Sequence, residues 1–258
     1  MSTTILCHIK RAEIPFHIEE ADVNIRSIEE LCYYLQNNLP LVDLSFFGTK
    51  LVEWLDTELG AHQLVADLHR IVTEAPDPHL QDLVMPVMRE ASWLNAEEEQ
   101  QMWERLRSLE EEPVASRMKQ RADAYVRYGK LARAVRTYDM ILKLRQTEKL
   151  GLSFSGSVWH NKGVAHARLF QMDEAIRCMA EASERMHTMQ TLRSLLLCTW
   201  QGKGEEAFRA AADEKAVDPE TRELLASEFR SAEFPEEPGD PFASLDDWIR
   251  KYRRETEL

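Results

Sequence analysis

Three histidines, His160, His166 and His187, fall within one short region, and histidine is the side chain most often used for metal binding and proton transfer near neutral pH. A zinc site on a helix requires a spacing such as HxxxH or HExxH, with a further cysteine or carboxylate ligand. These histidines have neither the spacing nor such a partner. We therefore expect structural or surface roles for them, and no metal and no cofactor.

Two other stretches carry nucleophilic residue types. Cys7 and His8, with His17 further on, lack a third group that would orient the histidine. The serine-rich stretch 153–157 lacks the GxSxG, GxxxxGK and GxGxxG patterns, and we expect it to be a linker with Ser157 as the N-cap of the next helix. The sequence thus predicts no catalytic residue and a protein that is not an enzyme. A divergent enzyme without motifs is the weakest alternative.

The composition indicates which elements surround these residues. Good helix formers such as Leu, Ala, Glu and Arg predominate, and a hydrophobic content of 44% is enough for a core. No run approaches the roughly 18 apolar residues of a membrane-spanning helix, the start has no apolar leader, and the cysteines form no CxxC pair. We expect an all-α protein in the cytoplasm with no membrane segment.

Charge is distributed unevenly along the chain. Residues 1–112 hold 8 Lys+Arg against 22 Asp+Glu, residues 113–200 hold 15 against 7, and residues 201–258 hold 9 against 16. The middle is therefore basic within a protein whose net charge is −13. Such a middle region would attract acidic partners, although charge alone says nothing about the fold.

Residues 1–112 are expected to form the first of three regions. Short β-like runs at 5–9, 16–18 and 23–25 predict a small β-containing N-terminal cap. Helices should follow at about 28–38, 50–59, 62–73, 80–94 and from residue 96. Ser27 and Asn95, each with a glutamate three residues later, begin capping boxes, and Pro86 should kink the fourth helix. The acidic run 110–112 and Pro113 mark the expected end of the region.

The second region, 113–232, can be laid out as three helical hairpins. The best is built on Trp159, Gly163, Ala175 and Ala182, where small residues would let two helices cross closely. The hairpin before it has corresponding residues at Ala122, Tyr125, Gly129, Ala134, Tyr138 and Ile141. The hairpin after it has Leu195 and Cys198, Gly202 in the turn, then Ala207 and Ala211.

This spacing resembles the tetratricopeptide repeat (TPR) over about residues 114–215. The resemblance implies an α-α superhelix of TPR-like helical repeats whose first helices line a concave groove. A generic helical hairpin bundle is the alternative.

The resemblance also implies a site. In repeats of this family that hold peptide C-termini, the carboxylate-binding positions correspond here to Lys119, Asp123, Asn161, Gln190 and Arg193. The residue type matches at three of them, whereas Asp123 would repel a carboxylate and Gln190 is uncharged. Arg127 and Arg168, also on first helices, would line a less specific basic groove for acidic peptides. Ligand binding is therefore assigned to Lys119, Asn161, Arg193, Arg127 and Arg168.

From these features we expect a non-catalytic protein-binding or peptide-binding scaffold or adaptor. Nucleic-acid binding is the alternative, because Tyr125, Tyr128 and Tyr138 lie among arginines that could contact phosphates. The acidic net charge and the absence of a helix-turn-helix or zinc pattern count against it.

The third region, 233–258, begins with the proline-rich linker EFPEEPGDP. An amphipathic helix from Ser244 follows, with Leu245, Trp248, Ile249 and Tyr252 on one face. We expect it to cap the repeats; docking into the groove or on a partner is the alternative.

Overall fold

The structure, a computed structural model, describes residues 10–75 and 77–231. The chain divides into two compact units, Met1–His187 and Thr188–Leu258. Within the described residues there are twelve α-helices and one two-stranded sheet, so the protein is mostly helical as predicted. No described helix combines the length and apolar character needed to cross a membrane.

Strands β1 (Phe16–Ile18) and β2 (Val23–Ile25) form an antiparallel hairpin in which Phe16 pairs with Ile25 and Ile18 with Val23. Ile18 and Ile25 are buried because the alternation of a strand turns them toward the adjacent helices. The β-containing N-terminal part is therefore confirmed for these two strands, and the run at 5–9 lies outside the described residues.

Five helices follow in the first unit: α1 (Ile28–Asn37), α2 (Thr49–Thr57), α3 (His62–Glu74), α4 (Leu80–Glu90) and α5 (Ala96–Glu111). Two 3₁₀ turns, Leu39–Leu41 and Leu44–Phe47, connect α1 to α2. Apolar residues at helical spacing fill their common core, among them Leu31, Leu35, Leu55, Leu68, Leu83 and Leu106. The helices thus bury one face each, as their periodicity predicted.

Side-chain N-caps mark the start of two of these helices, α1 and α5. Asn95 Oδ1 accepts from the N–H groups of Glu97 and Glu98 at 3.0 Å, and Glu98 accepts from Asn95 N at 2.9 Å, a complete capping box. Ser27 Oγ accepts from Glu30 N at 3.3 Å, but the Glu30 carboxylate reaches Arg26 N rather than Ser27 N. Both helix starts were predicted correctly, but the capping box predicted at Ser27 was wrong, because Glu30 does not accept from Ser27 N.

Proline is accommodated inside α4. Pro86 lies within the helix, which begins at Leu80 as expected and continues past it to Glu90. The helix ends before the predicted residue 94, and Ser92 there adopts a left-handed conformation with φ of 47°. A residue in the left-handed conformation cannot continue a right-handed helix.

The rest of the first unit consists of α6 (Val114–Arg127), α7 (Leu131–Lys143), α8 (Arg145–Lys149), α9 (Leu152–Arg168) and α10 (Met172–Met186). Helix α6 packs against α7, α7 against α9, and α9 against α10. The boundary expected at 112–113 falls between α5 and α6, within the first unit.

The expectation of a linker at 153–157 was wrong. These residues form the first turns of α9, whose N-cap is Gly151 at φ 91° and not Ser157. Ser157 Oγ instead donates to the carbonyl of Phe154 at 2.7 Å, inside the helix. Gly156 is buried where a Cβ would collide with Met186 of α10, so it is a packing residue and not a linker residue.

The second unit contains α11 (Met189–Glu214) and α12 (Pro219–Ser231) in its described part. Helix α11 is interrupted at Gly204, where φ is 86°, and not at Gly202 as predicted. The shift changes the buried face after the break: Phe208 and Ala212 are fully buried, in place of Ala207 and Ala211. The predicted linker and C-terminal helix of region 233–258 lie outside the described residues.

Candidate ligand-binding surface on helices α6, α7 and α9

Small residues allow the helices of this surface to approach closely. Ala122 of α6, Ala134 of α7 and Gly163 of α9 are buried, and a Cβ on Gly163 would lie only 3.0 Å from Met179 Cε of α10. Close packing of two helix backbones fixes the positions of the neighbouring side chains on both helices. The packing roles predicted for these residues are confirmed.

Three donors from three helices converge on the Asp123 carboxylate. Lys119 Nζ of α6 lies 2.8 Å from Oδ2, Asn161 Nδ2 of α9 lies 2.8 Å from Oδ1, and Tyr138 Oη of α7 lies 2.5 Å from Oδ1. The side chains of Lys119 and Asp123 are 20% and 34% exposed, so this cluster is accessible from solvent at one side. We call Lys119, Asp123, Tyr138 and Asn161 the carboxylate cluster.

Tyr138 forms the buried floor of the carboxylate cluster. Its side chain has no exposed surface, and burial, followed by the hydrogen bond to and the charge of Asp123, raises the pKa of its hydroxyl. The hydroxyl therefore remains protonated and acts as a donor to the carboxylate. The sequence identified Tyr138 only as a core residue.

The predicted site residues are brought together in part. Lys119 and Asn161 meet at Asp123, whereas Arg168 Nη1 donates to the carbonyl of Val126 at 2.6 Å, beside the C-terminal end of α6. The Arg127 side chain is exposed and has no hydrogen-bond or ion-pair partner among residues 10–75 and 77–231.

The remaining predicted position, Arg193, belongs to α11 of the second unit, where it pairs with Glu228 of α12. Gln190, the uncharged position of the predicted site, is exposed at the start of the same helix.

The carboxylate cluster gives Asp123 a further effect beside the repulsion expected of it. Asp123 occupies the donors of Lys119 and Asn161 that an incoming carboxylate would use. The signal for this contact was present in the sequence, because Lys119 and Asp123 are four residues apart and oppositely charged on one helix face. The contribution of Tyr138 depends on the packing of α7 and carried no sequence signal.

The histidines have structural positions. His166 is buried with Nδ1 2.7 Å from Gln171 Oε1, His187 is the C-cap of α10 at φ 50°, and His160 lies beside Asn161. Within the described ranges, no group of three or more His, Cys, Asp or Glu side chains is placed to hold a metal ion. His17 Nδ1 lies at hydrogen-bond distance, 2.9 Å, from Asn24 Oδ1, while Cys7 and His8 lie outside those ranges.

Two of the three tyrosines considered for nucleic-acid binding, Tyr125 and Tyr138, are buried. Tyr125 is 7% and Tyr138 0% exposed, and the Tyr128 hydroxyl donates to Asn38 Oδ1 at 2.6 Å. Stacking on bases requires an exposed ring face. Tyr125 and Tyr138 therefore present no such face in this structure.

Trp159 of α9 lies half-buried against α10. Lys162 Nζ is 4.9 Å and Arg185 Cζ is 5.7 Å from its ring centroid, so two cations contact the indole. Trp159 therefore stabilises the α9–α10 hairpin and is not part of the carboxylate cluster.

No protein-family model, no curated protein and no solved structure matches the chain.

Proposed function

We propose that the chain is a non-catalytic protein-binding module, built as a TPR-like helical array, that holds acidic peptide segments on the surface of α6 and α9. The observation that carries the proposal is the convergence of Lys119 and Asn161, from different helices, on the single carboxylate of Asp123. A lysine and a neutral amide donor converging in this way form a geometry suited to carboxylates.

Charge around the carboxylate cluster supports an acidic ligand. Lys119 pairs with Asp123, Arg121 with Asp43 and Lys162 with Asp139. Arg117, Arg127 and Arg168 are then the cations of these two helices that have no carboxylate partner among residues 10–75 and 77–231, and of these Arg127 is exposed and Arg168 is partly engaged. A ligand carboxylate would compete with Asp123 for Lys119 and Asn161, while Tyr138, which has no exposed surface, would keep its hydrogen bond to Asp123. In the proposed site, the ligand carboxylate therefore replaces the Asp123 carboxylate as the acceptor for Lys119 and Asn161.

Binding can be measured by fluorescence anisotropy with a labelled peptide of alternating Glu and Ala, and with its Gln-for-Glu counterpart. We expect the Glu peptide to bind at least about tenfold more tightly than the Gln peptide, with a steep loss at high salt. Lys119→Ala should weaken binding, and Asp123→Asn should strengthen it because the internal competitor loses its charge. Lys149→Ala, an exposed lysine on α8, is the matched control.

Two results would contradict the proposal. Equal affinity for the Glu and Gln peptides would exclude carboxylate recognition. Unchanged affinity in both Lys119→Ala and Asp123→Asn would show that acidic peptides bind elsewhere on the protein.

A further inference from the structure

A separate cavity of about 620 Å³ lies in the first unit, between the 3₁₀ turns after α1, the start of α4, the end of α5 and the first turns of α6. Its apolar wall includes Leu39, Pro40, Leu109, Val114 and Met118. The volume is within the range of cavities that hold small organic molecules. None of the carboxylate-cluster residues lines it.

Two carboxylates at the cavity are already matched. Asp43 Oδ2 accepts from Arg121 Nη1 at 2.8 Å and Oδ1 accepts from Ser45 N at 3.0 Å. Burial alone would raise the pKa of Asp43, but hydrogen bonds from Ser45 and Arg121 outweigh it and lower the pKa. Asp43 therefore stays ionised and neutralises Arg121.

The second carboxylate, Glu110, is matched at the start of α4. Its Oε1 accepts from Leu80 N at 2.6 Å, and its Oε2 lies 2.8 Å from His79 Nδ1. Asp77, also at the cavity, is exposed to water. Because Asp43 and Glu110 are engaged and Asp77 is exposed, no buried carboxylate among the described residues of this cavity is free to pair with another cation.

Arg117 is the unmatched cation of this cavity. Its Nε is buried without a hydrogen-bond partner, and the side chain has no ion pair among residues 10–75 and 77–231. A buried guanidinium N–H without an acceptor is unfavourable, and most buried polar atoms in folded proteins have a partner. The Nη nitrogens of the same side chain are not buried and have no partner among the described residues, so they are the donors that a ligand in the cavity can reach.

We propose that this cavity binds an amphiphilic organic acid, with its carboxylate on Arg117 and its apolar body against Leu39, Leu109 and Met118. The two Nη nitrogens of an arginine together present an end-on pair of donors that fits the two oxygens of a carboxylate. The apolar wall then takes a hydrocarbon or ring portion of the ligand. This site is independent of peptide binding on α6 and α9.

The test compares octanoate with 1-octanol, which has a similar apolar chain but no charge, by isothermal titration calorimetry on the full chain. Methionine methyl groups labelled with ¹³C report the site by NMR, with the Met118 signal assigned through Met118→Leu. We expect saturable octanoate binding that shifts the Met118 methyl signal. We also expect octanol to bind at least about tenfold more weakly, because it lacks the charge-assisted hydrogen bonds.

Variants separate charge recognition from simple partitioning into an apolar space. Arg117→Met should weaken octanoate binding at least about tenfold and leave octanol unchanged, whereas Arg117→Lys should give an intermediate affinity because it keeps charge without the paired donors. Arg145→Met, an exposed arginine on α8, should match the unsubstituted protein.

Three results would overturn the proposal. These are no saturable octanoate binding up to about 10 mM, octanoate binding that does not shift Met118, and equal effects of Arg117→Met and Arg145→Met. Each is distinct from failure of the peptide proposal, which concerns Lys119 and Asp123.

Discussion

Gly129 and Phe170 occupy equivalent positions in two helical connections with the same hydrogen bonds. In the α6–α7 turn Lys130 N donates to Tyr125 O at 2.8 Å, and in the α9–α10 turn Gln171 N donates to His166 O at 3.0 Å. Both residues lie in the left-handed region, with φ of 71° and 58°. Only glycine adopts this conformation without steric cost, and Phe170 is 86% exposed, so little packing offsets the strain there.

Phe170→Gly should therefore stabilise the protein. We expect the free energy of unfolding to rise by about 0.5–1 kcal/mol, since relief of backbone strain exceeds the extra chain entropy of glycine. Urea unfolding followed by circular dichroism measures this change.

The reverse substitution at the equivalent turn is its matched counterpart. Gly129→Ala should lower the free energy of unfolding by roughly 1–2 kcal/mol, and no atom lies within 4 Å of the added Cβ to complicate the effect. Destabilisation by both substitutions would show that the Phe170 side chain stabilises the folded state through contacts.

Tyr138→Phe should destabilise the first unit. It removes a buried hydroxyl that donates to the ionised Asp123 at 2.5 Å, and hydrogen bonds to charged groups contribute about 1.5–3 kcal/mol. Urea unfolding at pH 7 should show a loss of this size.

Tyr128→Phe is the control for this loss, because the hydroxyl of Tyr128 donates to the neutral Asn38 at 2.6 Å. Its cost should be smaller, about 0.5–1.5 kcal/mol. If Tyr128→Phe costs more than Tyr138→Phe, the charge of Asp123 is not what strengthens the contact.

Arg117→Met should raise stability while it removes the proposed organic-acid site. Replacing the unmatched buried Nε by an apolar chain of similar length should increase the free energy of unfolding by about 1 kcal/mol. Arg145→Met, at an exposed position, should change it by less than about 0.5 kcal/mol. A loss of stability in Arg117→Met would mean that the guanidinium is satisfied in solution by ordered water.

Stability should fall at alkaline pH because of Cys32. Burial, followed by the charge of Glu29, raises the pKa of its thiol to about 12 from an ordinary value of 9.0. The folded state binds the proton more tightly, so the stabilisation is complete below pH 9 and is lost as pH rises from 9 toward 12. The slope attributable to this thiol is at most about 1.4 kcal/mol per pH unit.

Cys32→Ala tests that assignment. Urea unfolding at several pH values between 8 and 10.5 should show a shallower decline for the variant, although its stability at pH 8 is lower because the buried sulfur is lost. An identical slope would assign the alkaline transition to other groups, such as Tyr34 and Tyr138, whose pKa values are also raised.

Local signals predicted the helical framework well. The caps at Ser27 and Asn95, and the small residues Ala122 and Gly163, act over a few residues or on one helix face, so their effect can be read from spacing. Serine and glycine are common in linkers, so the stretch 153–157 predicts a linker, whereas Gly156 in fact allows close contact with α10. Tertiary packing overrode local propensity.

The carboxylate cluster was predictable only in part. The family resemblance, which stays a prediction, points to Lys119 and Asn161, but their shared partner depends on how α6, α7 and α9 pack. Arg117 carried no sequence signal, because an arginine on an amphipathic helix is usually solvated. Its lack of a partner becomes visible only when Asp43 and Glu110 are seen to be engaged elsewhere.

Leu41 has a consequence for any attempt to move helices α6–α10 into another protein. This residue precedes the expected boundary at 112–113, yet it is buried in the core of α6, α7 and α9 with Ala122 and Tyr138. A segment starting at Val114 would leave that core with an unfilled space. Gene fusions or domain exchanges that use α6–α10 would therefore need to include the 3₁₀ turn Leu39–Leu41, because the core of these helices is built from two segments that are separate in sequence.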